Sequence, residues 1–162
     1  MEKTTEILSC VKRNTNTKLA ISILCLVLYS FKFGFYDGCE LENYVLYSFS
    51  HANVFHLLIN LIVLWSIKNK IRPFMSLSIA LVASTLPMYV SEPTMGLSGF
   101  LFASFGQMWG KTGRWLDATK KAMPLILFMM LLPNVNGILH LYTFWIGFFI
   151  GYCLRKFDWF LS

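Results

Sequence analysis

A serine, two histidines and an asparagine are the residues of this sequence whose types suit hydrolytic chemistry. Ser98 lies between glycines in "GLSGF", His56 and Asn60 lie in "HANVFHLLIN", and His140 follows "GIL". A serine hydroxyl becomes an effective nucleophile when a neighbouring neutral histidine accepts its proton. The negative charge that then develops on the attacked carbonyl oxygen needs preorganised hydrogen-bond donors. His56 and Asn60, four residues apart on one helix face, are candidate donors, as are the backbone N–H groups around Leu97 and Ser98.

The composition predicts that a membrane surrounds these residues. Of the 162 residues, 56% are hydrophobic and 17% aromatic, whereas only 14% are charged. A soluble domain of this size could not bury so much apolar surface, so the lipid bilayer is the expected partner. The net charge is +6, but the basic residues are dispersed between apolar blocks and form no continuous stripe. Nucleic-acid binding is therefore not expected.

Six apolar blocks predict an all-α bundle of six transmembrane helices. Most blocks are shorter than the roughly 20 residues of a simple spanning helix, so we expect them to lean on other protein segments. No linker or internal repeat divides the chain, and residues 1–162 are expected to form one membrane domain, with 1–18 as a short cytoplasmic segment. The blocks cover residues 19–36, 53–67, 73–90, 97–110, 122–133 and 137–154.

The positions of the basic residues predict the orientation of the bundle. All but one of the 14 lysines and arginines lie within residues 3–18, 68–72, 111–121 and 155–156. Because positive residues remain on the cytoplasmic side, this distribution places both termini there. Lys32 is the exception. The four cysteines show no metal-type spacing, and only Cys39 falls on the outer side, so no internal disulfide is expected.

The orientation brings the polar residues to one depth in the membrane. Ser98 precedes Lys111 by 13 residues and His140 precedes Arg155 by 15. At about 1.5 Å per helical residue, the two lie about 20 Å and 22 Å above the cytoplasmic face. His56 lies about 18 Å above the same face by the same argument. Ionisable residues at this depth are costly, which makes them functional candidates.

Small residues predict that the fourth and sixth blocks pack closely together. Phe102, Gly106 and Gly110 follow Ser98 on one helical face, and His140 is followed in the same way by Thr143, Gly147 and Gly151. Stripes of small residues let helix backbones approach each other. We therefore expect Ser98 beside His140, in a cavity open to the outer side. No acidic residue lies at this depth, so the pattern favours a Ser-His dyad over a triad, with no cofactor or metal.

The ordered motifs resemble those of the rhomboid intramembrane serine proteases. His51, His56 and Asn60 give the H-x4-H-x3-N pattern, Ser98 lies in G-x-S-G, and His140 precedes glycines in the last block. The resemblance covers residues 42–151. It implies that Ser98 is the nucleophile and His140 the general base. It assigns His56 and Asn60 to the oxyanion hole, and implies structural roles for His51, Gly96, Gly99 and Phe102.

The resemblance also implies a substrate class and a location. Rhomboids cleave transmembrane segments of other membrane proteins, and the compact six-span form is similar to the bacterial rhombosortase branch. The implied location is the bacterial inner membrane. Phe102 stands where most rhomboids have tyrosine, and Leu139 and Thr143 stand where they have alanine and glycine. The first outer loop is short and lacks the Trp-Arg pair of many members.

Two other functional classes fit some of these residues. One is a non-catalytic rhomboid-like protein that binds transmembrane helices without cutting them. The other is a metal site formed by His51, His56 and His140, although the H-E-x-x-H motif is missing and no carboxylate lies at their depth.

Overall fold

The fold is all-helical throughout the described part of the chain. The computed structural model describes residues 2–67, 71–87, 93–132 and 135–160, with the backbone alone for 2–13 and 158–160. No strand occurs among these residues, and Phe35 and Thr94 form an isolated antiparallel bridge. The helices are α1 (Glu2–Leu28), α2 (Leu41–Leu46), α3 (Val54–Ser66), α4 (Pro73–Ser84), α5 (Ser98–Thr112), α6 (Trp115–Met130) and α7 (Gly137–Phe160).

Each of the six apolar blocks contains helical residues, but the helices of the first and fifth blocks differ substantially from the predicted bounds. The first block runs to residue 36, whereas α1 ends at Leu28 and begins at Glu2 within the polar segment. No glycine or proline interrupts residues 2–28, so the polar turns continue the helix. The fifth block begins at residue 122, but α6 begins at Trp115, where Asp117 in its first turn pairs with Arg114 at 2.6 Å. Hydropathy marked the apolar side chains and missed these polar helical turns.

One described helix is long and apolar enough to cross a membrane. This stretch, Gly137–Phe157, has 21 residues and a mean hydropathy of 1.5. The apolar helices α3 and α4 are shorter, with 13 and 12 residues. At about 1.5 Å per residue, they extend about 20 Å and 18 Å.

The closest helix packing joins α5 to α7. A Cβ atom on Gly106 would overlap the carbonyl oxygen of Phe144 and lie 2.8 Å from the backbone nitrogen of Phe148. Gly147 meets the backbone of Ala103 in the same way from the opposite helix. The predicted small-residue stripes therefore face each other. Helix α4 packs against both partners, so α5 and α7 lie at the centre of the bundle.

A buried lysine closes the end of α3. Lys18 of α1 is only 6% exposed, and its ammonium donates hydrogen bonds to the carbonyl oxygens of Trp65 (3.3 Å) and Ile67. A cation at a helix C-terminus satisfies carbonyls that have no partner within the helix and interacts favourably with the helix dipole. The contact fixes α1 against the end of α3.

Candidate active site

Backbone hydrogen bonds hold the segment that leads into Ser98. Thr94 exchanges two hydrogen bonds with Phe35, at 3.0 and 2.9 Å, and Gly96 N–H donates to the carbonyl oxygen of Tyr47 at 2.8 Å. Gly96 has φ of +129°, a backbone conformation that residues other than glycine rarely adopt. Helix α5 then begins at Ser98 itself. The segment therefore places the serine at the start of a helix, where its hydroxyl is half-buried and reachable.

Ser98 and His140 form the hydrogen bond expected from the sequence. The serine Oγ lies 2.8 Å from His140 Nε2. His140 is 3% exposed, so the dyad has one buried member and one accessible member. The larger residues at 139 and 143 do not prevent this contact. Thr143 is fully buried and its hydroxyl donates to the carbonyl oxygen of Leu139 at 2.8 Å, which satisfies it within α7.

An aromatic ring orients the histidine. Phe102 stacks on the His140 ring with centroids 4.6 Å apart and planes inclined by 20°. The His140 Nδ1 atom is buried and has no hydrogen-bond partner among the described residues. No carboxylate contacts the ring there, so the geometry corresponds to a dyad. Stacking and the serine contact together set the plane of the imidazole.

His56 and Asn60 lie on α3 beside the serine segment. A Cβ atom on Gly96 would lie 2.6 Å from His56 Cε1 and 2.8 Å from His56 Nε2, so only glycine allows this approach. Asn60 is 4% exposed and uses one amide hydrogen to donate to the carbonyl oxygen of His56 at 3.0 Å. Its second amide hydrogen is not used in that bond. The cap of Asn53, whose side chain accepts from His56 N–H at 2.9 Å, fixes the first turn of α3.

His51 links the loop before α3 to the serine segment. Burial, assisted by the nearby His56, lowers the pKa of His51 to about 4, so the ring is neutral at neutral pH. A tautomer with hydrogen on Nδ1 satisfies both contacts: Nδ1 lies 3.2 Å from the carbonyl oxygen of Phe49, and Nε2 accepts from Leu97 N–H at 3.4 Å. The Leu97 N–H, predicted as an oxyanion donor, therefore already faces His51 across a long hydrogen bond. Of the predicted side-chain donors, His56 is the one that the structure places directly against the serine segment, at Gly96.

Two positioning residues were not singled out from the sequence. Tyr47 is 1% exposed, and its carbonyl oxygen accepts the hydrogen bond from Gly96 N–H. Its hydroxyl donates to the carbonyl oxygen of Ala80 at 2.9 Å. The same hydroxyl oxygen would lie 3.3 Å from a Cβ atom on Gly99. Lys32 donates to the carbonyl oxygens of His51 (2.7 Å) and Ala52 (3.0 Å). Its isolation from the four clusters of basic residues was the available signal.

Metal binding finds no support in the described geometry. Within the described ranges, no group of three or more His, Cys, Asp or Glu side chains is placed to hold a metal ion. The His51 and His56 rings instead meet edge to face with centroids 5.2 Å apart.

The functional assignment rests on the residues of the candidate site, because comparison with known proteins adds no evidence to it. No protein-family model matches this chain, and no curated protein matches it.

Proposed function

We propose that this chain is an intramembrane serine endopeptidase of the rhomboid type, with Ser98 as nucleophile and His140 as general base. The observation that carries the proposal is the 2.8 Å contact between Ser98 Oγ and His140 Nε2. It joins a reachable hydroxyl to a buried imidazole on two helices whose glycines permit the approach. The proposed substrates are transmembrane segments of other proteins.

A multi-pass position in a membrane is part of this proposal. Large apolar side chains are exposed on several helices, including Leu26 (58%), Phe55 (74%), Ile62 (68%) and Phe149 (67%). Extensive exposed apolar surface is unfavourable in water and favourable in lipid. Together with the distribution of basic residues, it supports six spans with cytoplasmic termini. The proposed bacterial inner membrane rests on the resemblance to rhomboids alone.

The chemistry follows from the contacts. Ser98 Oγ attacks the carbonyl carbon of the peptide bond while its proton passes to His140 Nε2. His56 and the free amide hydrogen of Asn60 donate to the oxygen that becomes negative. When the C–N bond breaks, His140 returns the proton to the departing amine and an acyl-serine remains. Water, deprotonated by His140, then attacks the ester carbonyl, releasing the acid and restoring Ser98.

A serine-directed probe tests the proposal. Detergent-solubilised wild type and the variants Ser98→Ala, His140→Ala and Ser66→Ala would be treated with a fluorescent fluorophosphonate. We expect labelling of wild type and Ser66→Ala, none of Ser98→Ala, and little of His140→Ala. Ser66 is a suitable control because it is an exposed serine that bonds only its own helix, donating to Val63.

Two results would contradict the assignment. Equal labelling of Ser98→Ala and wild type would place the reactive group elsewhere. A folded wild type that does not label, and does not cut a transmembrane substrate with which it co-purifies, would favour the non-catalytic helix-binding alternative.

A further inference from the structure

A cavity lies far from Ser98 and His140, lined by side chains of α4 and α5 and by Ile67, Ile71 and Arg72. It has a volume of about 420 Å³. This falls within the roughly 300–1,000 Å³ of small-molecule sites. Gln107 and Lys111 line it, nine and 13 residues after Ser98 on α5. At about 1.5 Å per residue, the cavity is about 14–20 Å along the helix from the serine. It therefore forms no part of the proposed active site.

Buried polar side chains form the floor of this cavity. Gln107 donates from Nε2 to Ser76 Oγ at 2.9 Å, Ser76 and Ser104 hydroxyls lie 2.9 Å apart, and Ser104 Oγ donates to the carbonyl oxygen of Phe100 at 3.0 Å. Ser76 is fully buried and Gln107 is 6% exposed. A connected network whose groups satisfy one another is rigid, so it fixes the shape of this side of the cavity.

Two cations line the same cavity without a neutralising partner. Arg72 immediately precedes α4 and is half-buried, and Lys111 lies in the last turn of α5. Neither side chain makes a hydrogen bond or ion pair with another described residue. Among the described residues that line the cavity, none is acidic. The positive end of the α4 dipole adds to the charge beside Arg72. The cavity therefore favours an anion.

The remaining wall is apolar. Ile67, Ile71 and Met108 contribute to it. A simple inorganic anion would leave this side without a partner, whereas an ester with a carbon skeleton fills both halves. Arginine forms paired hydrogen bonds to phosphate oxygens, and lysine binds phosphate as a point charge.

We propose that this cavity binds a phosphate ester, with its phosphate between Arg72 and Lys111 and its glycerol or similar carbon skeleton against Ile71 and Met108. An anionic phospholipid headgroup and a soluble phosphate monoester share this chemistry. The proposal does not depend on the protease assignment, because none of these residues belongs to the dyad or its donors.

Thermal unfolding of the full chain in uncharged detergent tests the site. The probes are short-chain phosphatidylglycerol, short-chain diacylglycerol and glycerol 3-phosphate, each titrated against the unfolding midpoint. We expect phosphatidylglycerol to raise the midpoint and diacylglycerol to leave it unchanged. A rise with glycerol 3-phosphate of the same size would identify a soluble ester as sufficient, whereas a rise with phosphatidylglycerol alone would identify the lipid. Either result supports the site.

Charge variants locate the effect. In Arg72→Gln/Lys111→Gln the apparent affinity should fall at least about tenfold, since each lost charge-assisted contact is worth a sizeable part of a tenfold step. Arg114→Gln/Lys120→Gln removes the same charge from exposed positions outside the cavity and should stay within about twofold of wild type. If the double variant unfolds, Arg72→Lys and Arg72→Gln replace it: the lysine variant keeps the charge and loses the paired hydrogen bonds, so it should bind more weakly than wild type and more tightly than Arg72→Gln. Equal losses in both double variants, or no shift with either phosphate probe in wild type, would overturn the proposal.

Discussion

His140 depends on very few contacts for its orientation. Its Nε2 faces Ser98 and its ring stacks on Phe102, while its buried Nδ1 has no partner among the described side chains and carbonyls. For Nε2 to accept the serine proton, the ring hydrogen must be on Nδ1. In the proposed dyad, stacking on Phe102 takes the place of an orienting carboxylate.

At Gly96, an added side chain would conflict both with the backbone conformation and with His56. In Gly96→Ala the new Cβ would meet His56 at 2.6 Å and the backbone would keep φ near +129°. We expect turnover of a transmembrane substrate to fall about 100-fold, because a displaced His56 loses its contact with the oxyanion. The measurement is the initial cleavage rate of purified protein at saturating substrate.

Gly38→Ala is the matched control for this change. Gly38 also has positive φ, at +85°, but a Cβ there would contact nothing within 4 Å. We expect a loss of about 1 kcal/mol in the free energy of unfolding and an unchanged cleavage rate. If Gly96→Ala cleaves at the rate of Gly38→Ala, the close approach to His56 has no part in catalysis.

The sequence predicted the meeting of Ser98 and His140 because their positions could be counted from charged anchors. The same counting could not predict that Tyr47 and Lys32 position the segments around the site. Both act mainly on backbone carbonyls that are distant in sequence, Ala80 for Tyr47 and the His51–Ala52 pair for Lys32. Contacts to carbonyls have no residue-type signature, so they appear only when the fold is known.

At the scale of elements, the pairing of α5 with α7 followed from its glycine spacing, and the helix boundaries did not follow from hydropathy. Residues 29–36 are apolar in large part, yet they form a loop in which Phe35 is buried and bonded to Thr94. Apolar character reports burial or contact with lipid, whichever backbone conformation provides it. The short α2, which lies between α1 and α3, was not predicted for a related reason, since six residues are too few to show a helical period.

The α5–α7 interface should not accept a methyl group at Gly106. Alanine normally favours a helix over glycine by about 1 kcal/mol. In Gly106→Ala, however, the added Cβ would overlap the Phe144 carbonyl oxygen, and overpacking costs about 1–3 kcal/mol. We expect a net lower unfolding midpoint in detergent and weaker fluorophosphonate labelling, because separated helices draw Ser98 away from His140. An unchanged midpoint with full labelling would show that the backbones are not in close contact.

At the scale of the molecule, short helices require loops whose backbone groups form hydrogen bonds within the protein. Helices α3 and α4 extend only about 20 Å, well below the hydrocarbon thickness of about 30 Å. In the proposed multi-pass position, non-helical backbone at membrane depth must satisfy its polar groups within the protein. The bridge between Phe35 and Thr94, and the bond from Gly96 to Tyr47, do this at the segments that flank the candidate site.

The cysteines allow the proposed orientation to be measured. Cys39 is half-buried in the loop between α1 and α2, which is proposed to lie on the outer side. Cys153 is exposed on α7, close to the basic residues that are proposed to be cytoplasmic. In two variants that each keep one of these cysteines, with the other three changed to serine, a membrane-impermeant maleimide should label Cys39 on intact cells and leave Cys153 unlabelled. Permeabilised cells provide the control, because both should then react. Labelling of Cys153 on intact cells would reverse the orientation, and with it the side from which water and substrate reach Ser98.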